Sequence, residues 1–290
     1  MLFIFSVLIC KSFSHSSIPY SDQLSRNKLI YAAISAYASP PQSCMSLAFQ
    51  NFQVKPQITV ACDTLDDTCS GFTGVDHESQ AILVAFRGTN RNAQLLVEAV
   101  ETVFANNKSW VSGGHVSEYF SDAFFKIWTS GMKDDVISLM SRYPSYQVWV
   151  TGHSLGGALA SLAATYLRYT SLVSADQLLL VTFGQPRTGN MDFATSVDNL
   201  VPNAYRVTHS HDPVPHLPGQ GHHGYFHHKS EVYYNKNMGG WEICEKDESE
   251  KCSNGNLVDL DFEDHFHYFN LDILKLGFSN CLNTTPSGIQ

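Results

Sequence analysis

Val148-Trp-Val-Thr-Gly-His-Ser-Leu-Gly-Gly157 joins a β-branched run to an Ala- and Leu-rich run at residues 158–167 that has the composition of a helix. Within it, Gly152-His-Ser-Leu-Gly156 is the G-x-S-x-G pattern of a tight strand-to-helix turn with the serine hydroxyl at its apex. Glycines flank the serine because a Cβ there would strike the neighbouring strand or helix. The first helix amides point back at the same place and can stabilise an oxyanion. The stretch therefore predicts a nucleophilic Ser154.

Strand-like and helix-like segments alternate on either side of this turn. Apolar runs predict strands at residues 80–86, 146–151, 177–183 and 204–208, and a hairpin at 230–244. Helical stripes predict helices at residues 22–38, 92–104, 118–143 and 192–199, with Gly131 as a candidate break in the third. That third helix should turn a set of apolar residues inward: Phe124, Ile127, Trp128, Val136, Ile137 and Met140. The alternation predicts an α/β fold, with a mostly parallel sheet and helices on both faces.

Composition predicts one large globular domain. The chain has 290 residues, of which 43% are hydrophobic and 16% charged, and no Pro/Ser-rich linker or repeat divides it. We therefore expect a single domain over residues 17–290. The net charge of −9 argues against a nucleic-acid partner and against anionic membrane surfaces, while a neutral lipid surface is compatible with it.

The N-terminus has the pattern of a secretory signal peptide. An apolar run at residues 2–10 is followed by the small residues Ser12 and Ser14, which predicts a signal over residues 1–16 and an extracellular protein. The alternative is a buried N-terminal strand. The run is shorter than the roughly 20 apolar residues that span a bilayer, and no other stretch reaches that length, so no transmembrane segment is predicted.

Cysteines and sequons fit a secreted protein. After removal of Cys10, six cysteines remain, and an even number in a secreted chain predicts disulfides. Short spacings favour Cys62–Cys69 and Cys244–Cys252, and Cys44–Cys281 would then tie the chain ends together. No C-x-x-C pair supports a metal site. Asn107-Lys-Ser109 and Asn283-Thr-Thr285 are candidate glycosylation sites.

A nucleophilic serine needs a histidine base and a carboxylate that orients it, in the chain order Ser, Asp, His for this kind of turn. Asp212 is the best-placed acid, because it follows the predicted strand at 204–208 and so lies at the same sheet edge as Ser154. Asp176 precedes a strand, and Asp192 and Asp198 lie in a predicted helix.

The histidine cannot be chosen from spacing. The candidates after Asp212 are His216, His222, His223, His227, His228, His265 and His267. The His-rich stretch at 222–228 could suggest a metal site, but no carboxylate or cysteine set accompanies it, which favours a surface loop with packing histidines.

Six segments, in order, resemble the fungal-type triacylglycerol lipases, the class 3 lipase family, in a secreted animal-like branch. They are Val84-Ala-Phe-Arg-Gly-Thr89, Gly114-His-Val-Ser-Glu-Tyr-Phe120, Val150-Thr-Gly-His-Ser-Leu-Gly-Gly157, Thr182-Phe-Gly-Gln-Pro-Arg-Thr-Gly-Asn190, His211-Asp-Pro-Val-Pro-His-Leu-Pro218 and Asp264-His-Phe-His-Tyr-Phe269.

The resemblance implies the α/β-hydrolase fold and a catalytic triad. Ser154 would be the nucleophile, Asp212 the acid and His265 the base, with His267 as the second choice. It also implies an oxyanion hole from the amides of Thr89 and Leu155, and the bridge between Cys44 and Cys281 matches one of the family's own.

The resemblance further implies a mobile helical lid over the active site at residues 90–104. Its apolar residues are Leu95, Leu96, Val100, Val103 and Phe104. Leu95 stands where fungal members often have Trp, and a plain core helix is the alternative reading of this segment. A lid of this kind would close in water and open on lipid, because lipid removes the cost of exposing apolar side chains.

Together these observations predict a secreted serine esterase or lipase that hydrolyses acylglycerol esters at a lipid–water interface through an acyl-enzyme, with no metal or organic cofactor. The alternatives are a phospholipase or other carboxylesterase on the same scaffold, and a catalytically silent secreted lipid-binding protein.

Overall fold

The computed structural model describes residues 17–62, 68–88 and 102–282. The described strands, in chain order, are β1 (Phe52–Val54), β2 (Ile58–Ala61), β3 (Thr68–Asp76), β4 (Ala81–Phe86), β5 (Asn107–Ser109), β6 (His115–Ser117), β7 (Gln147–His153), β8 (Leu178–Phe183), β9 (Gly189–Asn190), β10 (Ala204–His209), β11 (Tyr225–Phe226), β12 (Glu231–Tyr234), β13 (Trp241–Cys244), β14 (His267–Tyr268) and β15 (Leu271–Asp272). Nine of them form the central sheet, in the order β1, β3, β4, β7, β8, β10, β12, β13, with β2 also paired to β3.

The centre of this sheet is parallel and its edges are antiparallel. Strands β4, β7, β8, β10 and β12 pair in parallel. Antiparallel pairs add β3, β1 and β2 at one edge and β13 at the other. The prediction of a mostly parallel sheet is therefore confirmed, and so is the hairpin, formed by β12 and β13. Strands β1 to β3 were not predicted.

The described helices are short or medium in length. They are α1 (Asp22–Leu24), α2 (Ile30–Ser35), α3 (Gln42–Met45), α4 (Glu118–Ile127), α5 (Lys133–Arg142), α6 (Leu155–Tyr169), α7 (Met191–Leu200), α8 (Phe262–Phe266) and α9 (Ile273–Phe278). Wider π turns at Ser25–Leu29 and Trp128–Met132 join α1 to α2 and α4 to α5, and 3₁₀ turns lie at Val214–His216, His222–Gly224 and Ser253–Asn256. No helix in these described ranges is long and apolar enough to cross a membrane.

The predicted helix at 118–143 is two helices. Gly131 has φ 130° and ψ −21° between them, a conformation that glycine adopts without a Cβ clash. Val136 and Leu139 are buried in α5, while Ile137 is 39% exposed. The prediction that Ile137 points inward was wrong, because Ile137 lies about 100° around the helix from Val136, on the side away from Leu139.

Helices cover both faces of the sheet. Side chains alternate along each strand, so Val148 and Val150 of β7 lie in the core under α4 and α6, while Trp149 lies in the core under α2 and α9. Strand β8 alternates in the same way. This layering gathers the carboxyl ends of the parallel strands at one edge, where the polar loops of the candidate site begin.

Three disulfides link cysteines in the described part of the chain, and all three pairs are those expected from the sequence. The Cα atoms are 5.2 Å apart in Cys44–Cys281, 5.5 Å in Cys62–Cys69 and 6.3 Å in Cys244–Cys252. The predicted signal at residues 1–16 and the sequon at Asn283 lie outside the described residues. Asn107 lies on the exposed strand β5, where its Oδ1 accepts a hydrogen bond from the Tyr225 hydroxyl at 2.8 Å.

Candidate active site

Ser154 stands at the junction between β7 and α6. Its backbone has φ 59° and ψ −131°, and its N–H donates to the carbonyl of Phe183 at 2.9 Å. A Cβ at Gly152 would lie 2.3 Å from the carbonyl oxygen of Gly156, and one at Gly156 would lie 2.4 Å from that of Phe86. The turn can therefore be this tight only with glycine on both sides of the serine.

Asp212 and His265 form a buried pair beside this turn. The loop after β10 carries Asp212 and α8 carries His265, and 2.9 Å separates Asp212 Oδ2 from His265 Nδ1. The same Oδ2 accepts from the Tyr268 hydroxyl at 2.7 Å, and Oδ1 accepts from the Val214 N–H at 2.9 Å. Burial acts to raise the pKa of Asp212, but the His265 charge and these three donors together hold that pKa below its ordinary value. Because an ionised Asp212 can only accept, His265 Nδ1 carries the proton and Nε2 presents a lone pair.

Near the Asp212–His265 pair, Ser154 Oγ and His265 Nε2 make no hydrogen bond in the part of the chain that the structure describes, and both are buried. Gly184 follows Phe183, whose carbonyl accepts the hydrogen bond from the Ser154 N–H. Gly184 itself lies against Asp212 and His265. A Cβ there would lie 2.9 Å from both Asp212 Oδ2 and His265 Nδ1. The ends of β7, β8 and β10 thus gather a hydroxyl, an imidazole and a carboxylate.

His153 packs against the imidazole ring of His265, with 4.5 Å between the ring centroids. Its Nε2 lies 2.8 Å from the backbone carbonyl of His265, and its Nδ1 lies 2.9 Å from the Tyr37 hydroxyl. Since a carbonyl only accepts, Nε2 carries the hydrogen and Nδ1 accepts from Tyr37. Burial, reinforced by the charge of His265, lowers the pKa of His153 to about 3, so this ring stays neutral. His153 thus anchors the backbone of His265.

Among the described residues, His265 is the histidine that contacts Asp212. The side chain of His267 is 41% exposed and its Nδ1 bonds the Glu263 carbonyl. His216, His227 and His228 are buried but contact Asn254, Pro215 and Lys229 respectively. His222 and His223 are exposed.

The three other acids considered from the sequence are placed elsewhere in the fold. Asp176 and Asp192 are exposed, and Asp198 accepts the Lys229 N–H. In the described ranges, no group of three His, Cys, Asp or Glu side chains could hold a metal ion.

The oxyanion and lid residues are only partly described. Leu155 is the first residue of α6 and lines a narrow cleft with Gly88, Leu159 and Tyr119. Val103 and Phe104 are buried, and Phe104 makes edge contacts with the rings of Phe120 and Tyr225. Thr89, Leu95, Leu96 and Val100 lie outside the described residues.

Two supporting tyrosines were missed by the sequence reasoning. Tyr268 lies in Asp264-His-Phe-His-Tyr-Phe269, one of the six segments that resemble the class 3 lipases. The sequence therefore did contain a pattern that could have identified it. Tyr37 sits in a helical stripe 116 residues before His153, and no local pattern marks it as part of this site.

Comparison with known proteins agrees with this geometry. The family profile described as Lipase (class 3) matches residues 83–222, which include Ser154 and Asp212. A curated lipase from Caenorhabditis elegans is 33% identical over 288 residues, covering 87% of this chain and 80% of that protein. The chain belongs to the class 3 lipase family. By that membership it is a carboxylic ester hydrolase.

Two further matches extend the comparison for this class 3 lipase. Secreted mono- and diacylglycerol lipase A from Penicillium cyclopium is 31% identical over 226 residues, covering 73% of this chain and 70% of that protein. A solved triacylglycerol lipase, described as having a serine protease triad at its catalytic centre, matches with a TM-score of 0.74 at 26% identity, over 87% of this chain and 94% of that one. The predicted α/β-hydrolase fold is thereby confirmed.

Proposed function

We propose that this class 3 lipase hydrolyses acylglycerol esters through a covalent acyl-enzyme, with Ser154 as nucleophile, His265 as base and Asp212 as the acid that orients His265. The observation that carries the proposal is the buried Asp212–His265 pair at 2.9 Å, together with the unpartnered Ser154 Oγ and His265 Nε2 beside it. An unused buried donor and acceptor cost stability, and a catalytic role accounts for keeping them.

In the first half of the reaction, Ser154 Oγ attacks the ester carbonyl carbon while its proton passes to His265 Nε2. Asp212 stabilises the imidazolium that forms, and the amides of Leu155 and Thr89 stabilise the oxyanion. The tetrahedral intermediate collapses by breaking the bond to the alcohol, whose oxygen takes the proton from His265. A water molecule then attacks the acyl-enzyme with the same proton transfers and releases the acid.

Acylglycerols are favoured over other esters for two reasons. The relatives include proteins described as triacylglycerol and as mono- and diacylglycerol lipases. The segment at 95–104 is also apolar enough to serve as a lid that opens on a lipid surface. We further propose that the protein is secreted after loss of residues 1–16 and glycosylated at Asn107 and Asn283, which accords with its disulfides and with a relative described as secreted.

Replacement of the serine tests the mechanism. Ser154→Ala should lower kcat on a soluble short-chain ester by about 10⁴-fold or more, and a fluorophosphonate probe should add covalent mass to Ser154 in the unaltered protein only. Ser196→Ala is the matched control, because the Ser196 hydroxyl bonds Ser112, and that variant should keep both activity and labelling. Retained activity in Ser154→Ala, or no labelling of the folded protein, would contradict the proposal, and the second result would favour a silent lipid binder.

A further inference from the structure

We propose that Leu257, Val258 and Leu260, here called the 257–260 patch, form a lipid-docking surface that acts independently of the lid. Its partner would be the uncharged or zwitterionic surface of a lipid aggregate. The proposal rests on the proposed function in that the same aggregate supplies the substrate.

The patch exposes three large apolar side chains within four residues. Leu257 is 54% exposed, Val258 74% and Leu260 45%. Single exposed apolar residues are common on soluble proteins, whereas several large ones on one short segment favour a surface that meets another apolar phase. Exposing this group to water costs free energy, which contact with lipid would recover.

Hydrogen bonds tie the patch to both halves of the Asp212–His265 pair. The Val258 carbonyl lies 3.0 Å from His211 Nδ1, and the Asp261 N–H donates to the His211 carbonyl at 2.9 Å. The His211 N–H in turn donates to Asp264 Oδ2 at 3.0 Å. Since His211 precedes Asp212 and Asp264 precedes His265, docking through the patch would hold the catalytic edge against the lipid.

The charge around the patch selects the kind of lipid. Residues 256–264 contain the acids Asp259, Asp261, Glu263 and Asp264 and no Lys or Arg, and the whole chain carries a net charge of −9. Lys246 and Lys251 line the cleft that Leu257 borders, together with Glu248 and Glu250, so they offset only part of the repulsion between an anionic surface and the acids of this segment. A zwitterionic or uncharged surface would leave the apolar contact unopposed.

The test is binding without turnover. In a Ser154→Ala background, which leaves the vesicles intact, we expect cosedimentation with phosphatidylcholine vesicles, and weaker cosedimentation with vesicles rich in phosphatidylglycerol. The triple change Leu257→Ser, Val258→Ser and Leu260→Ser should lower the partition onto phosphatidylcholine about tenfold or more. The control triple Leu47→Ser, Tyr169→Ser and Met191→Ser alters side chains that are 47%, 57% and 54% exposed elsewhere, and it should bind as the background does.

The patch triple in the otherwise unaltered chain should hydrolyse a monomeric soluble ester at the unaltered rate, which shows that it folds. If it does not fold, the single change Val258→Asp, at the most exposed of the three positions, replaces it. An unchanged partition, or an equal loss in the control triple, overturns the proposal. A change of oligomeric state on sedimentation with no change in partition overturns it in favour of a second copy of the chain. Because cosedimentation needs no turnover, its outcome stands whether or not the Ser154 mechanism fails.

Discussion

At the scale of single residues, the Asp212 carboxylate is the centre of the site. It is buried, and both of its oxygens accept hydrogen bonds, from His265 and Tyr268 at Oδ2 and from Val214 at Oδ1. A buried carboxylate with fewer donors would be driven toward its neutral form, in which it could no longer stabilise an imidazolium. The donors beside Asp212 thus keep it charged at the pH where the serine must react.

Removing one donor should therefore alter the pH dependence of activity. In Tyr268→Phe Asp212 loses one of the hydrogen bonds that lower its pKa, so it takes up a proton at higher pH and can then no longer stabilise the imidazolium. We expect the acid limb of the kcat/KM profile to move to higher pH, and kcat/KM at neutral pH to fall about tenfold, measured on a soluble ester.

Tyr205→Phe is the matched control for this change, because the Tyr205 hydroxyl donates to the Ile18 carbonyl and has no contact with the pair. Coincident pH profiles for the two variants would show that the Tyr268 hydroxyl has no influence on the base.

Local rules were enough to propose Ser154 as the nucleophile and Asp212 as the acid, but they could not select a histidine as the base. Ser154 was proposed because it lies in a tight turn that requires glycine on both sides. Asp212 was proposed because it follows a predicted strand. Several histidines satisfy the required order, and His265 was preferred to them through a family resemblance. The hydrogen bond from Tyr37 to His153 joins segments 116 residues apart, so only tertiary packing brings them together.

At the scale of elements, the site depends on how β8 ends. Gly184 follows this strand with φ 57°, and it is the residue against which Asp212 and His265 both pack. A side chain there would meet a strained backbone and also both members of the Asp212–His265 pair, so the strand end needs glycine for two separate reasons.

Gly184→Ala should consequently damage activity more than folding. We expect kcat to fall at least about 100-fold and the unfolding free energy to fall by about 1–3 kcal/mol, from ester hydrolysis and urea denaturation respectively. Gly219→Ala serves as the control, since a Cβ at Gly219 meets no atom within 4 Å. Equal kinetics in the two variants would mean that the space beside the pair is not needed.

Strands could be predicted from the sequence where an apolar pattern was long and uninterrupted. Strands β4 and β8 are nearly continuous apolar runs and β7 contains Val148-Trp-Val150, a pattern typical of parallel strands that are covered on both faces. Strands β1 and β2 have only three and four residues, and β3 mixes Gly, Thr, Ser and Cys into a buried strand, so the pattern that marks the central strands is absent.

At the scale of the whole molecule, burial of histidines makes stability depend on pH. Burial lowers the pKa of His153 and of His228 to about 3, and it also lowers those of His216 and His227. In the unfolded chain these groups take up protons near pH 6.5, which the folded state resists. Stability is therefore full above pH 6.5 and is lost as pH falls below it.

We expect the urea midpoint to fall steadily from pH 7 to pH 4.5, with His153 and His228 each contributing up to about 1.4 kcal/mol per pH unit. Asp198 acts in the opposite sense, because burial raises its pKa to about 6 and its charge is then a cost above that pH. Asp135 and Asp247, whose pKa values burial also raises, act in the same sense as Asp198, but three half-buried carboxylates should not offset four buried histidines. A midpoint that stays flat or rises toward pH 4.5 would show that these histidines are protonated in the folded protein.

The bond between Cys44 and Cys281 has a consequence for damaged molecules. It spans 237 positions and ties α3 to the segment after α9, so most of the polypeptide lies inside one covalent ring. A single peptide-bond cleavage by a protease, anywhere inside that ring, opens the ring without releasing a fragment. Nicked molecules would keep both pieces in register until a reductant separated them.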